Sequence, residues 1–329
     1  MARWSRGAGI ALAAALALCG QALWDRASAE DFPTRTVKII VPFAAGGSAD
    51  VIPRIVSDWL SRKWGQAVII ENRTGAAGNI GADAVAKADP DGYTLLSAPP
   101  PPLVINQNLY PKLGFDPTAL VPIAVMARIP NALVVNPTRV TAKSIPEVIA
   151  MAKANGGTTT VATTGNGGTQ HLTSEMFQTM AGVKFQHVPY RGSAPALADL
   201  VAGTVDMMFD NLGASMQLIK GGQIKLIAVA SAKRMAALPD VPTIAETLPG
   251  FEAVAWFGVV APPKTPMAIV NKINADINEA LRDPEVRKKL ENLNAEVVGG
   301  TQEATAAYFR DEIARWGKVI KDANVKVDQ

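Results

Sequence analysis

The most constraining feature of this chain is a strand, a small-residue loop and a helix start that follow one another over residues 37–50. Val37 to Val41 is a short apolar, β-branched run, which is typical of a strand buried on both faces. Pro42 cannot donate to a ladder and ends the strand. The loop that follows has almost no side chains, so a ligand could approach its backbone closely. With Ser48 as N-cap and Asp50 in the first helical turn, the stretch predicts an anion site made of backbone N–H groups.

A second copy of this pattern lies far downstream. A strand-like run from Thr159 to Thr164 is followed by the glycine loop Gly165 to Gly168 and the helix start Thr169-Gln170-His171-Leu172. Two ordinary βα turns, with glycines that only allow tight packing, would look the same. The pair of anion-binding helix starts, with Ser48 and Thr169 predicted as caps, instead favours a ligand that has two negative ends or is held from both sides.

The N-terminal residues have the pattern of a secretion signal. Arg3 and Arg6 precede an Ala/Leu-rich run over residues 10–18 that is too short to span a bilayer, and Ala27-Ser28-Ala29 fits a cleavage site. We therefore expect residues 1–29 to be removed together with Cys19, the single cysteine, and the mature protein to be periplasmic. A retained N-terminal anchor helix is the alternative.

The composition excludes some classes of partner and predicts the fold class. The chain has 32 Lys and Arg residues against 29 Asp and Glu residues and a net charge of +3. This small excess of positive charge does not indicate binding to nucleic acid or to an anionic membrane. Its 329 residues are 48% hydrophobic, enough for two domain cores. Strands alternate with helices along the sequence, so we predict an α/β protein with mostly parallel sheets.

Four consecutive prolines, Pro99 to Pro102, favour a stiff extended segment, and we place the first crossing between domains there. A rigid surface loop is the alternative. Separate strands are predicted at residues 121–127 and 132–136, and a strand over residues 224–230 is expected to return the chain to the first domain. The predicted organisation is a discontinuous first lobe, 30–102 with 230–329, and a second lobe, 103–229.

Taken together, these segments resemble the extracytoplasmic substrate-binding receptors of tripartite tricarboxylate transporters, the Bug family. The resemblance covers essentially the whole mature chain, and it is highly specific in combination. It implies a type II periplasmic-binding-protein fold, in which two α/β lobes surround a ligand cleft. The proline run is unusual for this family at the expected hinge. The matching stretches are residues 41–50, 71–73, 75–83, 89–96, 165–172, 188–210, 256–258, 261–262 and 312–320.

The resemblance also implies which residues bind and what the protein does. In this family the two glycine loops hold a carboxylated ligand from opposite lobes. The implied function is a monomeric receptor that needs no cofactor or metal and delivers a small carboxylate to membrane transporter subunits. The ligand-binding residues carried over are Phe43, Ala45, Gly47, Ser48 and Asp50 in the first lobe, Thr164, Gly165, Gly168, Thr169 and His171 in the second, and Tyr190, Ser193 and Asp210 on a third side.

Two other functions stay open at this point. The chain has two histidines and none of the motifs G-x-S-x-G, H-E-x-x-H or C-x-x-C. His171 at a helix start is more often a capping or packing residue than a general base, and His187 fits a half-buried structural position. A secreted, metal-free hydrolase or isomerase is therefore the weaker alternative. A sensory receptor that presents its ligand-bound form to a membrane kinase is the other.

Asp210 is expected to select among ligands. It follows a strand predicted over residues 205–209, and open α/β sheets bind ligands at the carboxyl ends of their strands. A carboxylate beside an anionic ligand needs a protic or positive group between the two. The alternative is that Asp210 only caps the helix that begins near Leu212.

Overall fold

The computed structural model describes residues 32–165, 167–322 and 325, so the predicted signal segment, Cys19 and Asn166 lie outside the described residues. The described part is a mixed α/β structure of two lobes, as expected for a type II periplasmic-binding-protein fold. Among the residues described, no helix has the length and apolar character needed to cross a membrane.

The elements follow one another largely as βα units, with the strands in two sheets and the helices packed against them. The strands are β1 (Val37–Val41), β2 (Val68–Asn72), β3 (Thr94–Ala98), β4 (Val121–Val135), β5 (Thr160–Thr163), β6 (Gln186–Pro189), β7 (Met207–Asn211), β8 (Lys225–Val229), β9 (Val254–Ala261) and β10 (Glu296–Val297). The helices are α1 (Ser48–Trp64), α2 (Asn79–Ala86), α3 (Asn106–Leu109), α4 (Ile145–Ala154), α5 (Thr169–Ala181), α6 (Ser193–Ala202), α7 (Leu212–Lys220), α8 (Met267–Arg282), α9 (Pro284–Glu291) and α10 (Gln302–Asp322).

The long strand β4 belongs to both sheets. The first sheet has the order β2-β1-β3-β9-β4, with β1 parallel to β2 and β3, β9 antiparallel to β3 and β4, and β10 also on β4. The second has the order β4-β7-β5-β6, with β5 parallel to β6 and β7, and with β7 and β8 antiparallel to β4. β1 and β5 each have parallel neighbours, and the carboxyl end of each leads into one of the two glycine loops. Open α/β sheets bind ligands at such carboxyl ends.

The prediction of two strands at residues 121–127 and 132–136 is wrong, because β4 is one strand of 15 residues. Its residues Val121 to Pro130 pair with β9 in the first sheet, and Asn131 to Val135 pair with β7 in the second. Proline normally interrupts a ladder. Here Pro130 lies at the last pair of the β9 ladder, where the strand passes from one sheet to the other.

The proline run is helical and buried, so the prediction of an extended segment is also wrong. Pro100 has the right-handed helical angles φ −48° and ψ −35°, and residues Pro101–Ile105 form a helical turn that continues into α3. Proline fits the first turn of a helix, where its missing N–H is not needed. The following residues 103–105 pack with Ile40, Leu96 and Trp256 of the first sheet. We infer that the chain passes between the lobes within β4, whereas the return near residue 230 stays a prediction.

A buried carboxylate fixes the last helix against the first sheet. Glu312 of α10 is 4% exposed, and its Oε2 accepts hydrogen bonds from the indole Nε1 of Trp256 (2.8 Å) and of Trp316 (3.0 Å). Its other oxygen accepts from Arg315 at 2.9 Å. A buried charge of this kind is tolerated because all of its partners are in place.

Candidate functional site

The first glycine loop ends in a helix cap that is itself a glycine. Gly47 is the N-cap of α1, with the extended angles φ −85° and ψ 171°, and no side chain caps the helix. Ser48 is therefore the first helical residue, one position beyond the predicted cap. Gly46 has φ 91°, a conformation that favours glycine, and this turn brings its N–H to Asp50 Oδ2 at 3.1 Å.

Asp50 holds this loop from inside the first lobe. Its carboxylate accepts hydrogen bonds from Gly46 N–H, from Arg54 Nε at 2.9 Å and from Asn72 Nδ2 at 2.9 Å. Burial raises the pKa of Asp50, but the hydrogen bonds from Arg54, Asn72 and Gly46 outweigh it and keep the pKa below its ordinary value. Asn72 Nδ2 also donates to the carbonyl of Phe43 at 2.9 Å, so the same network positions both ends of the loop.

The second glycine loop repeats this geometry in the second lobe. Gly168 is the N-cap of α5, with φ −63° and ψ 159°, and again no side chain caps the helix. Thr169 is the first helical residue rather than the cap. The amide oxygen of Gln170 accepts from Thr164 Oγ1 at 2.6 Å and from Thr169 Oγ1 at 3.0 Å. Its nitrogen donates to Asn211 Oδ1 at 3.4 Å, which links the loop to the end of β7.

His171 lies behind this loop. Its Nδ1 accepts a hydrogen bond from Gly167 N–H at 3.1 Å, and its Nε2 is 3.5 Å from Glu175 Oε1. Its ring packs edge-on against His187, with 4.6 Å between centroids. Burial and the neighbouring His171 lower the pKa of His187 to about 4. These contacts agree with a capping and packing role for His171.

A third helix start comes from α6. Its N-cap is Gly192, once more without a side-chain cap, and Ser193 is the first helical residue. Ser193 Oγ donates to Asp210 Oδ1 at 2.7 Å, and Ser215 Oγ donates to Asp210 Oδ2 at 2.7 Å. Asp210 is 0% exposed, lies within β7 rather than after it, and has a pKa raised by burial. It could therefore influence a ligand only indirectly, through hydrogen-bond partners such as Ser193.

The first turns of α1, α5 and α6 meet around one small cavity of ≈ 30 Å³. The first N–H groups of a helix have no intrahelical partner and carry the positive end of its dipole. Ser48 Oγ is buried and has no hydrogen-bond partner among the described residues. Among the described residues that line this cavity there is no Lys or Arg. Its lining consists of Phe43, Ala44, Gly47, Ser48, Ala49, Pro99, Pro101, Thr164, Thr169, Gln170, Gly192, Ser193 and Asn211.

A larger chamber of ≈ 1000 Å³ adjoins the small cavity and shares Phe43 and Thr164 with it. The exposed cations Lys112 and Arg191 belong to its lining. Tyr190 also lines this chamber, and its hydroxyl donates to Asp199 at 2.7 Å. Burial, together with Asp199, raises the pKa of Tyr190 to about 12.

Comparison with known proteins assigns the chain to a protein family. Residues 52–325 match the model of the tripartite tricarboxylate transporter family receptor, TctC. The chain belongs to this family. A relative from Pseudomonas sp. (strain P51), the UPF0065 protein in the tcbD-tcbE intergenic region, is 40% identical over 91% of this chain and 89% of its own. Protein BugT of Bordetella pertussis is 37% identical over 91% of this chain and 93% of its own.

Solved structures of similar proteins agree with the TctC assignment. The structure of R. palustris Rpa4515 with adipate has a TM-score of 0.87 and 39% identity, and the match covers 90% of this chain and 99% of that one. MatC (Rpa3494) from Rhodopseudomonas palustris, with bound malate, has a TM-score of 0.84 and 34% identity over 88% of this chain and 100% of its own. The Bug-family resemblance and the type II periplasmic-binding-protein fold are thereby confirmed.

The predicted site residues of this TctC receptor fall into three groups. Six line the small cavity, namely Phe43, Gly47, Ser48, Thr164, Thr169 and Ser193. Gly165 and Tyr190 line the larger chamber. The remaining residues, Ala45, Asp50, Gly168, His171 and Asp210, line neither cavity; the side chain of Ala45 is exposed, and the other four support the loops and strands beside the cavity.

Some lining residues of the small cavity were not predicted. Gln170 and Gly192 stand directly beside predicted residues, and the small-residue pattern at each helix start was the signal that could have found them. Asn211 directly follows the predicted residue Asp210, whereas Pro99 and Pro101 reach the cavity through the packing of distant segments. No local pattern marks such residues.

Proposed function

We propose that this chain is a periplasmic receptor that captures a small carboxylated ligand between its lobes and delivers it to membrane transporter subunits. The convergence of three glycine-capped helix starts on one cavity carries this proposal. A carboxylate there gains charge-assisted hydrogen bonds of about 1.5–3 kcal/mol each. Each helix dipole adds about 0.3–1 kcal/mol. No cationic side chain is needed for the first carboxylate.

Both lobes contribute to this cavity, which explains how a ligand would favour closure. The start of α1 belongs to the first lobe, and the starts of α5 and α6 belong to the second. A Cβ atom at Gly192 would lie 3.2 Å from Ala44 Cβ, so the two lobes meet closely beside the cavity. A ligand that binds donors from both lobes stabilises the closed arrangement over an open one. We propose that the receptor acts as a monomer in this cycle.

Dicarboxylates are the ligand class that we propose. Rpa4515 and MatC were solved with adipate and malate, both of which have two carboxylates. The small cavity fits one carboxylate, and the second would extend into the larger chamber, where Lys112 and Arg191 offer positive charge. The name of the matching family, a tripartite tricarboxylate transporter receptor, supports the proposed delivery to a tripartite transporter.

A ligand screen with a matched pair of serine variants tests the proposal. Adipate, malate, succinate and citrate are compared by thermal shift, and binding is then quantified by calorimetry. Ser48→Ala removes the unpartnered hydroxyl at the cavity and should weaken binding about tenfold or more. Ser57→Ala is the control, because Ser57 lies on the same helix, is equally buried and unpartnered in the described structure, and does not line the cavity.

The outcomes separate the receptor from its alternatives. The ligand should be recovered chemically unchanged after long incubation, whereas accumulation of a product would indicate an enzyme. If none of the carboxylates stabilises the protein, or if both serine variants weaken binding equally, the proposed site is wrong.

A further inference from the structure

Three potential metal ligands lie together behind the second glycine loop. Glu175 Oε1 is 3.5 Å from His171 Nε2 and 3.3 Å from His187 Nδ1, and the ligand atoms of the three residues all lie within 4.8 Å of one another. In a tetrahedral zinc site with bonds of about 2.0–2.2 Å, neighbouring ligand atoms are about 3.3–3.6 Å apart. The distances around Glu175 therefore already match those of a metal site.

Two elements of the second lobe supply these residues. His171 and Glu175 are four positions apart on α5 and so share one face of the helix, while His187 comes from β6. The side chains of His171, His187 and Glu175 are 7%, 16% and 24% exposed. A metal ion could enter from the side of Glu175 and His187 without unfolding the lobe.

His187 also has the outer partner that a metal-binding histidine needs. Its Nε2 is 2.8 Å from Ser174 Oγ. When Nε2 carries the proton and donates to this hydroxyl, Nδ1 presents its lone pair toward Glu175. The Ser174 hydroxyl can therefore accept from the tautomer in which His187 binds a metal.

We propose that His171 Nε2, Glu175 Oε1 and His187 Nδ1 form a zinc site with an open fourth position. Two histidines and one carboxylate are a recurrent ligand set for Zn²⁺, and the open position would take water or a further ligand. None of the three residues lines the small cavity or the larger chamber, so this is a second site. The sequence did not predict this site, because His171 and Glu175 on a helix and His187 on a separate strand form no metal-binding spacing motif.

Zinc at this site would act on the second glycine loop through His171. Gly167 N–H donates to His171 Nδ1, so the neutral ring carries its proton on Nε2. Zinc requires the lone pair of Nε2, and the proton must then sit on Nδ1, where it faces the Gly167 N–H. Two donors cannot share a hydrogen bond, so the contact between Gly167 and His171 is lost.

As a consequence, bound zinc would weaken the binding of the carboxylate ligand, and the bound carboxylate would weaken the binding of zinc. Gly167 belongs to the loop that leads to the Gly168 cap, so its release alters the start of α5. By linkage, each ligand would lower the affinity for the other by the same factor. This opposition rests on the proposed function, whereas the zinc site itself does not.

Zinc titration of metal-free protein tests the site. ZnCl₂ is titrated by calorimetry, and Co²⁺ is added separately because a tetrahedral site gives it a characteristic absorption. One ion should bind per chain, and Glu175→Gln and His187→Gln should each weaken binding by about tenfold or more. Glu291→Gln, an exposed carboxylate on α9, is the control and should bind zinc like the wild type. Absence of binding, or equal binding by all variants, would overturn the proposal.

Nitrogen NMR of the imidazoles tests the link to the loop. The chain has two histidines, so ¹⁵N-histidine spectra can be assigned with the His187→Gln variant. Zinc should move the proton of His171 from Nε2 to Nδ1 and shift the amide signal of Gly167. Zinc binding with neither change would refute the link. A failure of the four carboxylates to bind would refute the proposed function and leave the zinc result unaffected.

Discussion

Replacing Gly47 by valine should remove carboxylate binding and leave the fold intact. Gly47 has φ −85° and ψ 171°, an extended conformation that valine adopts without strain. A Cβ atom at this position would meet only Ser193 Cβ, at 3.8 Å, which is an ordinary contact. The backbone and the first side-chain atom are therefore both tolerated.

The two methyl groups of the valine have no comparable room. The cavity beside Gly47 has a volume of only ≈ 30 Å³. Methyl groups there would occupy the place of the carboxylate and cover the start of α1. Losing two charge-assisted hydrogen bonds costs about 3–6 kcal/mol. The dissociation constant should therefore rise at least about a hundredfold.

Calorimetry with the carboxylate identified by thermal shift measures this loss. Ala45→Val is the matched control, because Ala45 belongs to the same loop but is exposed and lines neither cavity. It should change the affinity by no more than about twofold. Gly47→Ala should give an intermediate loss and serves if the valine variant folds poorly. Wild-type affinity in the folded valine variant would refute the role of this helix start.

Two further predictions concern buried carboxylates. Because burial raises the pKa of Asp210, the protein loses stability as the pH rises through that pKa, so Asp210→Asn should stabilise the protein more at pH 7 than at about pH 3.5 in urea unfolding. If the ratio of aspartate to succinate affinity is unchanged in this variant, Asp210 is not the selector. Glu312→Ala should lower the free energy of unfolding by about 3–5 kcal/mol, because it leaves two buried indole N–H groups unpaired and removes the ion pair with Arg315. The exposed neighbour Asp311→Ala should change it by no more than about 0.5 kcal/mol, and equal effects of the two would contradict this reasoning.

Where a break residue marks the end of a strand, the first and last residues of the strand could be predicted from the sequence. The strand predicted from Val37 to Val41 coincides with β1. Pro42, which cannot donate to a ladder, directly follows this strand. Where this signal was weak, the predicted bounds of a strand differ from the observed ones. The strand predicted over 205–209 is Met207–Asn211, and this shift places Asp210 inside the strand, fully buried, rather than at its open end.

Tertiary packing overrode local preference at the prolines. Local rules assign Pro99 to Pro102 an extended conformation and interrupt β4 at Pro130. In the structure the run Pro99 to Pro102 is buried, because the apolar residues that follow it pack against α10. Pro130 lies where β4 passes from one sheet to the other. Both exceptions depend on contacts between segments more than 100 residues apart, which no window of sequence contains.

The one-residue error at the helix caps has a functional explanation. Two helices away from the cavity have polar caps, since Ser144 accepts from the N–H of Glu147, and Asp283 accepts from the N–H of Glu285 and of Val286. Another, α8, begins after Pro266 without a side-chain cap. At the cavity all three caps are glycine. A serine or threonine cap would bond the second or third N–H of its helix and so consume donors that a carboxylate needs.

Glycine leaves those donors free, and its cost relative to a polar cap is only a few tenths of a kcal/mol per helix. A carboxylate that binds them returns about 1.5–3 kcal/mol for each hydrogen bond. The general capping rule therefore holds for α4 and α9 and fails at α1 and α5, where the free N–H groups have a use. Placing Ser48 and Thr169 one residue past the cap also turns their hydroxyls into additional groups at the cavity, of which Ser48 Oγ has no partner in the described structure.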